Sequence, residues 1–227
     1  MNYEIKYTKR RCVAIRIKQG EVIVFAPISY ENSQNNQEKL RKFLESKREW
    51  ISRKIAEYNA SLKYFGLDEV LKYKKFLLFG EKMRVLATTK KSLKITANGE
   101  ILIPKEIDIE TLKKKLKREY ARIAQEQLAN RLFELAGKHG FYHNSFKLTN
   151  AGGKWGSCDD KKNIRLNWRL ILLPTHVADY VVIHELCHTV ELNHSNRFWN
   201  FVARVLPNYK QLNKDLKNYG ALTSYLR

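Results

Sequence analysis

Residues 180–194, which read YVVIHELCHTVELNH, constrain the fold of this chain more than any other segment. An apolar run leads into an H-E-x-x-H motif without glycine or proline, which predicts a buried α-helix. Side chains four residues apart lie on one helix face, so we expect His184 and His188 to direct a ring nitrogen each at one metal ion. Glu185 lies about 100° further round the helix. From there its carboxylate can reach a water on that ion without binding the ion.

A third ligand is expected, because catalytic zinc sites usually have three protein ligands and a water. Glu191 lies seven residues after His184 and shares its face if the helix continues. His194 lies ten residues after His184 and requires the helix to end near Asn193, in the left-handed turn that ends many helices. We favour His194, because imidazole suits zinc and Ser195 is typical of the N-cap of a following helix. The spacing leaves Glu191 open as the alternative.

The remaining sequence alternates β-rich runs with helical segments, which predicts an α+β fold. Strands are expected at residues 11–18, 21–26, 76–80, 83–89, 92–97, 100–104, 146–151, 154–158 and 163–168. Gln19-Gly20 and Asn98-Gly99 indicate turns. Helices are expected at about 37–60, at about 109–139 and after Pro174. In the first helix, the apolar side chains that can share one face are Leu40, Phe43, Leu44, Trp50, Ile51 and Ile55.

The chain carries a strong positive charge. Its 43 Lys and Arg residues against 23 Asp and Glu residues give a net charge of +20. The excess is spread out, with 33 basic and 19 acidic residues at positions 1–160 and 10 basic and 4 acidic residues at positions 161–227. Such a field attracts nucleic acid, anionic lipid or an acidic protein. Lys114, Arg118 and Arg122 form a basic stripe on the long helix, which is either a phosphate-contacting edge or a solvated face.

Three cysteines without a C-x-x-C pair argue against a disulfide framework and favour a reducing compartment. Charges throughout the first thirty residues argue against a signal peptide. The longest uncharged runs, residues 22–30 and 170–178, are far shorter than the roughly 20 residues of a membrane span. We therefore expect a cytoplasmic protein without a membrane partner.

Residues 154–199 resemble the YgjP-like metallopeptidases, a family related to the WLM and SprT-like zinc proteases. The resemblance rests on WGSC, NIRLNWRLILLP and YVVIHELCHTVELNHSNRFW. The upstream β-hairpin, the helix with Trp50 and the long helix fit the same family more loosely. The resemblance implies a zincin-like catalytic domain at residues 108–227, with the H-E-x-x-H helix beside a small mixed sheet. A basic, β-rich N-terminal region with helix 37–60 would form residues 1–107.

The resemblance also implies roles for single residues. His184, His188 and His194 would bind Zn2+, and Glu185 would be the catalytic base of a protease acting on a protein or peptide. The WGSC strand would form a sheet edge beside the cleft, which gives Trp155, Gly156 and Ser157 a substrate-binding role. A packed position in the core is the alternative for the Trp155 side chain.

Three questions stay open at this stage. The donor to the oxyanion could be Tyr180, Tyr209 or a main-chain N–H. The positive charge also fits a nucleic-acid-associated protein, including a protease that acts on DNA-linked proteins. Because H-E-x-x-H defines the water chemistry better than the substrate, a metal-dependent hydrolase of a non-peptide amide is a further alternative.

Overall fold

The computed structural model describes residues 3–18, 21–65 and 76–226. Within them, six α-helices and small mixed sheets form an α+β fold. Contacts between Cα atoms divide the chain into two compact units, Met1–Tyr64 and Phe65–Arg227. The strands of residues 76–104 therefore belong to the same unit as the H-E-x-x-H helix. The division into domains after residue 107 stays a prediction.

The described part of the first unit begins with a three-stranded sheet. β1 (Glu4–Thr8) runs parallel to β3 (Glu21–Pro27), and β2 (Ala14–Lys18) pairs with β3 in antiparallel register. The pairing of β2 with β3 confirms the two strands predicted there, and β1 is an additional strand. The predicted turn at Gln19-Gly20 lies outside the described residues. Because β3 is central, it contributes three buried side chains to the core of this unit.

Two helices follow, α1 (Gln34–Ser46) and α2 (Arg48–Phe65). The sequence predicted one continuous helix over residues 37–60, and this prediction is wrong because two helices lie there. The chain leaves helical geometry at Lys47, where φ is −102° and ψ is 1°. The break changes the helical register, and Trp50, expected on the buried face, is 37% exposed. The buried residues of the unit are Val22, Val24, Ala26, Leu40, Leu44 and Ile51.

Eight short strands are described in the second unit. They are β4 (Leu77–Leu78), β5 (Glu81–Lys82), β6 (Arg84–Thr88), β7 (Lys94–Ile95), β8 (Glu100–Pro104), β9 (Ser145–Thr149), β10 (Gly156–Cys158) and β11 (Asn163–Asn167). β8 lies between parallel β6 and antiparallel β7, and β11 lies between parallel β9 and antiparallel β10. Every strand run predicted in this unit contains a strand, and β10 lies at the edge of its sheet.

α3 (Ile109–His139) has the bounds that the sequence predicts. The Asp108 carboxylate accepts a hydrogen bond of 2.8 Å from the Thr111 amide and caps the first turn. Gly140 ends the helix in the left-handed conformation, with φ of 69°. Its buried side chains recur mostly every four residues: Leu112, Leu116, Tyr120, Ala124, Leu128, Leu132, Leu135 and Ala136. Neither α3 nor any other described helix is both long and apolar enough to cross a membrane.

The H-E-x-x-H motif lies on α4 (Thr175–Cys187), which is buried on most of its surface. Arg131 of α3 donates two hydrogen bonds of 2.6 Å to the Asp179 carboxylate and joins these two helices. The remaining elements are the 3-10 helices Trp168–Leu172 and Gly220–Ser224 and the helices α5 (Asn196–Val205) and α6 (Tyr209–Asn218). All of them contribute side chains to one core shared with α3 and α4.

Candidate active site

The last turn of α4 carries the first two histidines. His184 and His188 lie one turn apart, with ring centroids 4.8 Å from each other. α4 ends at Cys187, with His188 as its C-cap, so the expected continuation to the neighbourhood of Asn193 is wrong. The Val190 and Glu191 amides both bond the Cys187 carbonyl oxygen at 3.0 Å, which closes a turn instead of continuing the helix. Because the helix ends here, the loop that follows it can turn back over the histidines.

His194 returns to the motif from the loop after α4. Asn193 does not adopt the expected left-handed conformation. Its side-chain oxygen instead accepts a hydrogen bond of 2.9 Å from the Ser195 amide. Ser195 then caps α5 by accepting from the Phe198 amide at 3.4 Å, as the sequence predicts. These two local turns direct the imidazole of His194 towards α4.

The three imidazoles fit one metal ion. His194 Nε2 lies 3.0 Å from His184 Nε2 and 3.2 Å from His188 Nε2. Two nitrogen ligands of a tetrahedral zinc, each bonded at about 2.0–2.1 Å, are about 3.3 Å apart. His188 Nδ1 lies 3.0 Å from the Glu191 carbonyl oxygen and donates to it, which leaves the Nε2 lone pair free for a metal. The residues and their spacing thus match the donor set that a divalent metal needs.

The Glu191 side chain has another partner. Its carboxylate forms an ion pair of 3.3 Å with Arg197 and does not join the histidine cluster, which consists of His184, His188 and His194 among the described residues. The sequence left Glu191 open as a third ligand. The structure brings its main-chain oxygen to His188 and its carboxylate to α5.

Burial keeps the α4 histidines neutral. Together with the nearby His188 and His194, it lowers the pKa of His184 to about 3. The pKa of His188 is also lowered, again mainly by burial. Neutral imidazoles have the lone pair that binds a metal. His184 Nδ1 is buried and has no hydrogen-bond partner among the described residues, so packing orients this ring.

Aromatic side chains supply that packing. Phe198 of α5 contacts all three histidine rings, with centroid distances of 4.4 Å to His188, 4.9 Å to His194 and 5.0 Å to His184. Trp199 stacks on His194, with ring centroids 5.6 Å apart and an angle of 28° between the ring planes. Tyr209 in turn stacks on Trp199, with a centroid distance of 5.4 Å and an angle of 18°. Sequence reasoning gave no role to Phe198 and Trp199, although their place in the first turn after the Ser195 cap was a usable signal.

Glu185 lies between α4 and the sheet. It is 6% exposed, and burial raises its pKa to about 8, while Lys154 opposes that rise. β10 approaches it so closely that a Cβ atom on Gly156 would lie 2.7 Å from the Glu185 Oε1 atom. Only glycine leaves room for the carboxylate at this point. The close approach of β10 thus encloses Glu185.

The three residues predicted to bind substrate occupy different surroundings. Trp155 is half-buried against the core, and its carbonyl oxygen accepts a 2.7 Å hydrogen bond from the Asn167 amide. Gly156 contacts Glu185, and Ser157 pairs with Arg165 of β11. β10 lies at the edge of its sheet, so its outer side pairs with no strand among the described residues. A substrate-binding role of these residues stays a prediction.

The two tyrosines predicted as oxyanion donors both lie near the histidines. Tyr180 is buried and contacts His184, with ring centroids 6.0 Å apart. Burial raises its pKa to about 12, with smaller contributions from Tyr209 and Glu185, so its hydroxyl keeps its proton. Tyr209 is half-buried and stacks on Trp199. The geometry does not choose between them.

A buried H-E-x-x-H helix that brings imidazoles together is the arrangement of metal-dependent peptidases. A family model described as YgjP-like, metallopeptidase domain, matches residues 11–219. The chain therefore belongs to this family, as the resemblance of its sequence predicts. Membership indicates a metal-dependent peptidase and hence a hydrolase. Comparisons with curated proteins and with solved structures gave no significant match.

Proposed function

We propose that this chain is a zinc metallopeptidase with a zincin-like site. His184, His188 and His194 would hold the metal, and Glu185 would be the catalytic base. The observation that carries the proposal is the convergence of three Nε2 atoms at 3.0 and 3.2 Å beside a buried carboxylate. Three imidazoles suit zinc, whereas Mg2+ and Ca2+ prefer oxygen ligands.

A zinc ion at this position would polarise the substrate carbonyl and acidify a water molecule. The part of the protein is to hold the ligands and move the proton. Glu185 would accept the proton of the attacking water and deliver it to the leaving amine. Its raised pKa, about 8, supports that role, because a group that binds a proton near neutral pH can both accept and release it.

β10 would position the substrate. An extended peptide can pair with the main chain of an exposed strand edge, so its scissile bond would lie along the Gly156–Cys158 strand. Gly156 supports this arrangement, because its missing side chain brings the strand edge directly against Glu185. The Glu185 carboxylate and the peptide-binding edge of β10 would then lie next to each other in the site.

Zinc content and casein cleavage, measured on wild type and on Glu185→Gln, test this proposal. The variant should keep one zinc per chain and lose about 10²–10⁴-fold in activity, the usual contribution of a general base. Glu191→Gln is the matched control, because it removes a carboxylate on the adjacent loop that pairs with Arg197. We expect this control to keep both zinc and most activity.

The outcomes separate the alternatives. Cleavage by Glu185→Gln at the wild-type rate would refute the role of Glu185. Loss of zinc from Glu191→Gln but not from His194→Ala would make Glu191 the third ligand. Zinc binding and a Glu185-dependent hydrolysis of small amides, without cleavage of any protein, would favour a hydrolase of non-peptide amides over a peptidase.

A further inference from the structure

A group of exposed cations lies on α3 and beside β7, and none of its members belongs to the histidine cluster. We call it the α3–β7 surface; it consists of Lys90, Lys91, Lys94, Lys114 and Arg118, all exposed. None of these five side chains forms a hydrogen bond or ion pair with another described residue. Unpaired cations keep their full charge for a partner in solution.

Two hydrogen bonds hold the segment with Lys91 and Lys94 against α3. Lys115 Nζ of α3 donates to the Lys91 carbonyl oxygen. One turn later, Glu119 Oε1 accepts a hydrogen bond of 3.4 Å from the Ile95 amide of β7. Ile95 itself is buried in the core under the surface. The cations therefore stand on a fixed framework.

The acidic groups nearby are already engaged. Glu119 also binds Arg122, at 2.9 and 3.1 Å. This bond, followed by the hydrogen bond from the Ile95 amide and then by the charges of Arg122 and Arg118, lowers the pKa of Glu119. Glu110 pairs with Lys113 at 2.8 Å. These carboxylates are bonded directly to other cations, and no described carboxylate forms an ion pair with the five cations of the α3–β7 surface.

We propose that the α3–β7 surface binds the phosphate backbone of nucleic acid. Lys114 and Arg118 lie four residues apart, about 6 Å along the helix, and Lys94 projects from the neighbouring strand. Cations in such a fixed row can contact successive phosphates and release their counterions. Among the described residues, this surface includes no exposed aromatic ring for stacking on bases, so the binding depends little on sequence.

The apolar residues explain why nucleic acid fits better than a lipid surface. A helix that lies on a membrane inserts an apolar face, but the apolar face of α3 is buried in the protein core. The described large apolar residue exposed on this part of α3 is Ile109, more than one turn before Lys114. The cations thus offer charge without an apolar anchor.

Fluorescence anisotropy with a short labelled DNA duplex, over a range of salt concentrations, tests the inference. The variant combines Lys94→Gln, Lys114→Gln and Arg118→Gln. The slope of log K against log salt should become shallower by about three, roughly one for each lost phosphate contact. The matched control combines Lys210→Gln, Lys214→Gln and Lys217→Gln and removes three exposed charges from α6.

The control should keep the wild-type slope, and thermal melting should show that both variants are folded. Equal weakening in both variants would overturn the proposal, because net charge alone would then explain binding. Tighter binding to vesicles with anionic lipid, or to polyglutamate, than to DNA would overturn it too. Glu185→Gln should bind DNA like wild type, so this test does not depend on the proposed peptidase.

Discussion

The two histidines on α4 and the third on the following loop are held in different ways. His184 and His188 belong to a helix whose other faces are buried, and His188 has a main-chain partner for Nδ1. His194 is exposed, and its ring is oriented mainly by stacking on Trp199 and by contact with Phe198. The helix-borne pair thus depends on local geometry, whereas the loop-borne ligand depends on α5. Four experiments test this contrast.

The largest effect is expected from removing a ligand. His188→Ala should abolish stoichiometric zinc binding, because it removes a buried ligand and leaves the Glu191 carbonyl oxygen without its donor. His194→Ala removes an exposed ligand, and water can replace it, so this variant should bind zinc weakly but measurably. Zinc titration against a chelator of known affinity measures both. Equal affinities in the two variants would remove the distinction between helix and loop.

A smaller but still large effect is expected from Gly156→Ala. The new Cβ would lie 2.7 Å from the Glu185 carboxylate, so the carboxylate or β10 must move. A displacement of about 1 Å can cost about 10²-fold in rate. Zinc affinity should change little, because the atoms nearest to the new Cβ belong to Glu185 and not to a histidine. Gly153→Ala cannot serve as control, since its φ of +85° strains any side chain.

Gly137→Ala is the matched control for that variant. Gly137 lies on α3, and apart from the backbone of that helix no described atom lies within 4 Å of the position that its Cβ would take. This change should leave activity unaltered and stabilise the helix slightly. If Gly156→Ala kept full activity as well, Glu185 would not need the close approach of β10.

Trp199→Leu should weaken zinc binding by about tenfold, the lower end of the effect of partners that orient metal ligands. The reason is that the leucine cannot stack on His194. Trp199→Phe should restore most of the affinity, because a smaller ring still stacks. Phe133→Leu, at an exposed aromatic residue of α3, is the control and should bind zinc like wild type. A merely structural role of Trp199 would lower thermal stability without moving the zinc affinity of the folded protein.

The smallest effect is a gradual change of stability with pH in the metal-free protein. Burial raises the pKa of Glu185 from 4.5 to about 8, so the folded state holds this proton more tightly than the unfolded state. The stabilisation is complete below pH 4.5 and is lost as pH rises towards 8. Urea unfolding of metal-free wild type and Glu185→Gln should therefore diverge over this range. Parallel curves would mean that Glu185 is not buried in solution.

Parts of the fold could be predicted because their signals are local. α3 begins at the Asp108 cap and ends at Gly140, and both ends follow from side chain and backbone preferences of single residues. The parallel pairing of β1 with β3, by contrast, joins segments that are separated along the chain. Residue patterns do not encode such pairings directly, and β1 was missed for that reason.

The site divides in the same way. The spacing of the H-E-x-x-H motif was enough to predict that His184 and His188 share a helix face, because four residues make about one turn. The end of α4 at Cys187, the completion of the cluster by His194 and the contact between Gly156 and Glu185 follow instead from tertiary packing. Residue spacing within a helix is fixed by backbone geometry. Burial, the resulting pKa of Glu185 and the approach of a loop depend on segments that meet only in the folded chain.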